Sequence, residues 1–356
     1  MAWTECQHTR GAIDQAGRML VALPSSDPAR DHALEVINNW RSCHGYPLHI
    51  VAKTLQMRAR SKVFSKALVA RRIKRLSSIA IKLSHNPDMK LSQMQDIGGC
   101  RTILDSVGQV EELVAVYEAA VAKHPNATDR PFLNKKYDYL SAPKADGYRG
   151  VHLVMKYQST SKTAHNGQRI EIQIRSRLQH AWATAIETCQ AFTGQALKSK
   201  IKTASASWLR FFALMSSAIA ARERRPLVPG TPHDPAERKA ELKALESQEG
   251  IVTMLQGWST AMRHSTIADD RESVAFLLEL DTGQRRLTIV PYKLAEMPLA
   301  HKQYLVREKA TENDPNVQVV LVSADSVANL QRAYPNFYVD TTNFIRAIQF
   351  ELREQS

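Results

Sequence analysis

The stretch QDIGGCRTIL (residues 95–104) reads as a buried strand opened by an acid, Asp96, and it is followed over about 107–123 by Val110, Leu113, Val114 and Tyr117 at helical spacing. A strand followed by a helix is the unit of α/β architecture. Downstream, VHLVMKY (151–157) and RIEIQIR (169–175) alternate with a period of two around a loop at Asn166-Gly167, which predicts a hairpin. That period puts Glu171, Gln173 and Arg175 on one sheet face. Upstream, 53–83 contains no Gly or Pro, and Ile73, Leu76, Ile79, Ala80 and Leu83 form an apolar stripe. This predicts a helix with Lys74, Ser78 and Lys82 on its cationic face. Segments 10–22 and 29–42 read as lead-in helices, the second opened by Ser26, Asp27 and Pro28. Residues 124–150 read as a turn-rich connection, and 177–192 and about 196–225 as helices.

A Pro-rich stretch from Pro226 to Pro232 marks a boundary. The expected organisation is residues 1–225 as a helical lead-in and mixed-sheet domain, 226–269 as linker and connecting helix (about 235–263), and 270–356 as a second small domain. That tail reads as strands 273–280 and 285–291, helix 299–312, strand 317–323 and helices 326–333 and 340–354, a ββαβα order. The overall expectation is an α+β fold.

The 356 residues carry 48 Lys+Arg against 35 Asp+Glu, a net charge of +13 with histidine neutral. Residues 273–356 are nearly neutral, with 9 basic and 10 acidic side chains, so the excess belongs to the first three quarters and should attract polyanions. Eleven Lys/Arg and one acid, Asp88, fall within 53–90. Four scattered cysteines without a Cys-x-x-Cys argue against a disulfide framework or a zinc site. No leader-like or membrane-spanning apolar run is seen, so a cytoplasmic protein with no membrane partner is expected.

Three segments carry chemistry. Arg72, Lys74, Ser78 and Lys82 suit a triphosphate, or else a solvated or nucleic-acid-facing helix. Asp96 and Glu171, brought together from two strands, suit Mg²⁺ bridging phosphate oxygens, or else are two surface acids. In PKADGYRGVH (143–152), Tyr148 between Lys144 and Arg149 suits stacking on a base beside phosphate, or else the segment is an ordinary loop.

RRIKRLSSIAIKL (71–83), QDIGGCRTIL (95–104), YLSAPKADGYRGVHLV (139–154) and EIQIRSRLQHAWATAIE (171–187) resemble, in order and spacing, the synthetase domain of the RelA/SpoT family over about residues 45–215. The resemblance implies a nucleotidyltransferase-like mixed β-sheet flanked by helices and transfer of the β,γ-pyrophosphate of ATP to a ribose 3′-hydroxyl. It implies ATP held by Arg72, Lys74, Ser78, Lys82 and Arg101, and Mg²⁺ on Asp96 and Glu171. Glu171 would also orient or deprotonate the hydroxyl, Tyr148 would stack on the acceptor base, and Lys144, Arg149, His152, Gln173 and Arg175 would shape the acceptor side. The family's hydrolase His-Asp pair has no counterpart in the lead-in; His233-Asp234 lies in the linker.

Gly150 stands where guanosine-modifying members often have Ser, which resembles the toxic subgroup that pyrophosphorylates the 3′ CCA end of tRNA and blocks translation. Arg58, Arg60, Lys62, Lys66, Lys198, Lys200 and Lys202 are candidate contacts to an RNA backbone. The tail resembles the pseudo-zinc-finger domain of CapRel-type fused toxin–antitoxins. That likeness implies an intramolecular antitoxin that masks the ATP site until a phage protein, such as the major capsid protein, binds it in abortive infection. Tyr334, Phe337 and Tyr338 lie where the group carries its blocking Tyr-x-x-Tyr element, and otherwise read as the tail's own core. The alternative is a (p)ppGpp synthetase with a regulatory tail; a third reading is an RNA-binding protein on a degenerate synthetase fold.

Overall fold

The structure, a computed structural model, describes residues 3–24, 26–59, 64, 67–123, 129–193, 206–261, 263–266, 272–312, 314, 316–323, 330–331, 333–335, 337–338 and 340–353. Helices α1 (Arg10–Ala22) and α2 (Pro28–Cys43) form the lead-in. Asp27 caps α2 by accepting from the Ala29 amide at 2.8 Å. The helix expected over 53–83 is instead the end of α3 (Gly45–Ala59), a strand β1 (Leu68–Ile73) and a short helix α4 (Leu76–Ser84). The apolar rhythm from Leu76 onward does mark a helix. Residues 68–73, however, pair one for one with a second strand, from Leu68 opposite Ile103 to Ile73 opposite Gly98. That non-local partner decides the conformation, as is usual for strands.

The second strand, β2 (Gly98–Leu104), leads into α5 (Val107–Lys123) as expected. The supposed turn-rich connection holds a further strand, β3 (Phe132–Asp138), which pairs antiparallel with β4 (Val151–Lys156) across an irregularity between Leu133 and Lys135. Its exposed centre, Asn134-Lys135-Lys136, hides the alternation from a sequence reading. The strands β4 and β5 (Arg169–Ser176) form the expected hairpin, and β5 lies parallel to β2. Behind the sheet, Leu153, Met155, Ile170, Ile172 and Ile174 pack against Leu48, Val51 and Leu55 of α3 and Val110 and Leu113 of α5.

Four helices follow: α6 (Arg177–Thr193), α7 (Ala206–Arg222), α8 (Pro235–Glu249) and α9 (Ile251–Ala261). The single helix expected over 235–263 breaks at Gly250, whose φ of 62° is left-handed. Asp234 of the linker pair caps α8, accepting from the Glu237 amide at 2.8 Å. The first residues of the helix expected over 196–225 lie outside the described residues.

The connecting segment ends in a short unanticipated strand, β6 (Arg263–Thr266), and the tail contains β7 (Ser273–Asp281), β8 (Arg286–Lys293), α10 (Met297–Ala310), β9 (Val317–Ser323) and α11 (Thr342–Leu352). Most of the helix expected over 326–333 lies outside the described residues. Two features join the tail to the rest. First, β9 pairs with β1 through Arg71–Ser323 and Arg72–Val322, so the described strands form one nine-stranded sheet in the order β3-β4-β5-β2-β1-β9-β7-β8-β6. Second, α11 belongs to the apolar cluster of α6–α9, with Phe344 stacked on Phe212 at 5.4 Å. No described helix is long and apolar enough to cross a membrane.

Candidate active site

The sheet register assembles a polar face opposite α3 and α5. One cross-strand row runs Arg72, Gly99, Glu171; the next runs Ala70, Arg101, Gln173, His152, Tyr137. Arg72, Lys74, Asp96, Arg101, Glu171 and Gln173 line one cavity there. Asp96 precedes β2 rather than lying within it. Its carboxylate takes a salt bridge from Lys74 at 2.7 Å and another from Lys82 at 2.8 Å. Burial alone would raise its pKa, but the two ammonium groups hold it well below the usual carboxylate range. Lys74 sits at the β1–α4 joint and so does not share a helix face with Ser78 and Lys82. The two lysines meet through Asp96 instead, while Ser78 is half-buried on α4.

The acceptor-side candidates form a closed hydrogen-bonded ring. The Tyr148 hydroxyl lies 2.5 Å from His152 Nε2, and His152 Nδ1 lies 3.0 Å from Glu171 Oε1. Gln173 donates its amide to Glu171 Oε2 at 2.7 Å, and Arg175 donates to Gln173 Oε1 at 3.2 Å and back to the Tyr148 oxygen at 2.8 Å. Burial opposes charge at each titrating member, yet the partners prevail: His152 is raised to about 9 by Tyr148 and Glu171, Glu171 is lowered mainly by His152, and Tyr148 is lowered to about 8 by Arg175 and His152. At neutral pH His152 is therefore an imidazolium between a carboxylate and a polarised phenol.

Not every expected residue reaches the site. Arg149 turns away: its guanidinium donates to the Pro226 carbonyl at 2.6 Å, and it serves the start of the linker rather than an acceptor. In the same loop Gly147 and Gly150 hold φ of 91° and 143°, conformations that favour glycine. A Cβ on Gly150 would stand 3.2 Å from Arg175 Cγ. Lys144 does reach the site, with Nζ 5.3 Å from the Tyr148 ring centre and 4.5 Å from that of Tyr139. Tyr139, missed in the sequence reading, packs edge-on against both Tyr148 and His152. The signal was there in the alternation of Lys135, Tyr137 and Tyr139, obscured by the polar Asn134, Lys136 and Asp138 between them.

Two carboxylates facing one cavity, both held ionised, fit a magnesium ion, which is usually bound by one or two carboxylates with phosphate and water completing its shell. Among the described residues no cluster of three metal-ligating side chains exists. Arg58, one of the candidate RNA contacts, stacks on Tyr117 at 4.0 Å behind the sheet; positions 60, 62, 66, 198, 200 and 202 lie outside the described residues.

The tail enters this cavity from the β1 side. Tyr334 is buried against its wall, with the Arg101 guanidinium 5.6 Å from the ring centre and donating to the Ala333 carbonyl at 3.2 Å. Tyr334 thus forms part of the wall of the same cavity as Arg72, Asp96 and Arg101, where a nucleotide phosphate would have to lie. Phe337 and Tyr338 pack beside it against Leu68, Ala70 and Ile103. Behind the sheet, α10 closes the same seam. Glu308 takes the buried Arg41 guanidinium at 2.8 Å and the Leu76 amide, the first of α4, at 2.7 Å. Arg41 in turn donates to the Lys74 carbonyl at 3.0 Å.

Residues 71–193 match the family model described as the region found in RelA / SpoT proteins. The chain is 30% identical over 144 residues to the uncharacterized protein Rv1366 of Mycobacterium tuberculosis, covering 40% of this chain and 46% of that one. It is 30% identical over 118 residues to the GTP pyrophosphokinase YjbM of Bacillus subtilis, covering 33% and 52%. It thus spans about half the length of these curated relatives. Among solved structures, a GTP pyrophosphokinase family protein from Streptococcus pneumoniae aligns at TM-score 0.39 and 22% identity, over 52% of this chain and 88% of that one. Small alarmone synthetase 2 from Bacillus subtilis aligns at TM-score 0.40 and 19% identity, over 51% and 92%.

Proposed function

We propose that the segment matching the RelA/SpoT region makes this chain an ATP-dependent pyrophosphokinase, held off by its own C-terminal module, whose acceptor is the 3′ CCA end of tRNA. The observation that carries the reading is Tyr334 seated on Arg101 in the cavity that holds Asp96 and Glu171. In the released enzyme Arg72, Arg101, Lys74 and Lys82 bind the triphosphate. Asp96 and Glu171 would hold Mg²⁺, which would supply charge neutralisation at the phosphates. Tyr148 takes the terminal base, and Lys144, His152, Gln173 and Arg175 shape its surroundings. The ribose 3′-oxygen attacks the β-phosphorus, the bond to the α-phosphate oxygen breaks, AMP leaves, and the hydroxyl proton passes to Glu171. Positioning and charge stabilisation do the work, with no covalent enzyme intermediate.

The positive charge outside the nearly neutral tail supports a polyanionic acceptor, and Gly150 supports the RNA-modifying reading over the guanosine one. Leu294, Leu299 and Val306 expose apolar surface on and beside α10, which supports a protein trigger there, in our reading a phage protein such as capsid, in abortive infection. The competing reading, synthesis of a guanosine alarmone, draws on the relative named a GTP pyrophosphokinase. The test is to follow label from γ-labelled ATP into deacylated tRNA or GTP, using the full chain and Tyr334→Ala. A point variant is preferable to removing the tail because α11 is part of the α6–α9 core. Label on tRNA that rises with Tyr334→Ala supports the proposal. Label on GTP alone replaces the acceptor, and no rise removes the lock.

A further inference from the structure

The ring around Glu171 is one end of a longer arrangement. Three aromatic rings run from the free edge of the sheet inward with cations packed against them. Lys135 Nζ lies 4.6 Å from the Tyr137 ring centre, and Tyr137 and Tyr139 are parallel within 10° with centres 6.2 Å apart. Lys144 then bridges Tyr139 and Tyr148, at 4.5 and 5.3 Å, and the Arg175 guanidinium lies 5.0 Å from the Tyr148 ring. The register puts Lys135 in the cross-strand row of Glu171 and Tyr137 in the row of Gln173, so the ladder shares the face of the candidate active site. Lys135 is exposed, both tyrosines are half-buried, and β3 has no neighbour on its outer side among the described strands.

We infer that this ladder is a single-stranded RNA track that receives the nucleotides preceding the acceptor's 3′ end. Rings interleaved with cations are how proteins hold single-stranded nucleic acid: each base offers a π face, and the cations follow the backbone. A lone nucleotide would be served by Tyr148 and its ring; Lys135, Tyr137 and Tyr139 extend the same chemistry outward to the sheet edge. The inference rests on the proposed RNA acceptor and adds where the strand lies. It also separates binding from turnover. The tail meets this face at Leu68, Ala70, Arg101 and Ile103 on β1 and β2, whereas the ladder runs over β3–β5. The locked chain should therefore still bind RNA.

The experiment is equilibrium binding of a short single-stranded RNA ending in CCA to the full-length chain without ATP, across a salt series. Tyr137→Ala should weaken binding about five- to hundredfold, the range for loss of one stacked base. Tyr137→Phe, which keeps the ring but loses the hydroxyl bond to Gln95, should bind like the parent. Lys135→Gln should reduce the slope of log K against log salt by about 0.7. The inference is overturned if the parent binds no RNA, if Tyr137→Ala binds as tightly as the parent, or if Tyr137→Phe loses as much as Tyr137→Ala. The acceptor reading fails separately: RNA held through Tyr137 while label moves only to GTP would refute the acceptor and leave the track standing. Label on tRNA with Tyr137→Ala binding unchanged would do the reverse.

Discussion

The two halves of the site lie on one sheet face yet are kept quiet differently. On the acceptor side, Tyr148, His152, Glu171, Gln173 and Arg175 satisfy one another, and all five come from β4, β5 and the loop before them. On the ATP side, Asp96 absorbs Lys74 and Lys82, while the Glu187 carboxylate only partly offsets the repulsion and burial felt by Arg101. Burial and the nearby guanidinium groups of Arg175 and Arg72 press Arg101 down to about 10. A ring face and a backbone carbonyl from the tail occupy the position instead. A cationic pocket built for a polyanion is electrostatically costly when empty. The contact that shuts the site therefore also relieves it, and a triphosphate would relieve it better.

Four measurements would break or sharpen this contrast. The largest effect is expected in the self-contained half: Glu171→Gln should slow transfer by about 10²–10⁴-fold, read as initial rates of label transfer in a Tyr334→Ala background. An unchanged rate would show that the ring is structural only. Next, Glu308→Ala strands the Arg41 guanidinium behind the seam and should cost about 3–5 kcal/mol in urea unfolding. It should also raise transfer, because the same carboxylate ties α10 to the joint that carries Lys74. A stable variant would mean the tail is held by its front contacts alone.

The third concerns pH. The folded pKa of His152, about 9, stands above its ordinary 6.5, so its contribution is complete below about pH 6.5 and is lost as pH rises through 9. The loss should be on the order of 3 kcal/mol. Because Tyr148, lowered to about 8, gains stability over the same window, the imidazole is read directly: its NMR titration midpoint should lie at about 9, and a midpoint at about 6.5 would dissolve the ring as an electrostatic unit. The smallest expected effect on transfer is at the lock: Tyr334→Ala should raise transfer about 5–150-fold, at a cost of about 3–5 kcal/mol in urea unfolding because its ring is buried in the apolar cluster with Ala70, Ile103 and Phe337; an unchanged rate would remove the lock.

The β4–β5 hairpin, β2, α5 and the lead-in helices were legible because each carries its own period and its own turn or cap. So was the shared face of Glu171, Gln173 and Arg175. The strands β1 and β3 were not. The apolar stripe that marks α4 begins at Ile73 and masked the strand just before it, and the exposed Asn134-Lys135-Lys136 made β3 look like a turn. Arg149 was not placed by the sequence because residue type favours a phosphate contact, whereas the carbonyl it meets, that of Pro226, is 77 positions away.

By itself the sequence determined which chemical groups this protein owns: a basic synthetase-like segment, the carboxylates of Asp96 and Glu171, an aromatic loop and a nearly neutral tail with its own strand pattern. Only the tertiary structure decided that β9 completes the edge of β1, that Tyr334 stands on Arg101, that Glu308 pairs with Arg41, and that α11 is core to the helices before it. The physical reason is range. Periodicity and capping act within a few residues, whereas these contacts join residues 132 to 267 positions apart and arise only when the packing of the whole chain brings charged groups and an open sheet edge together.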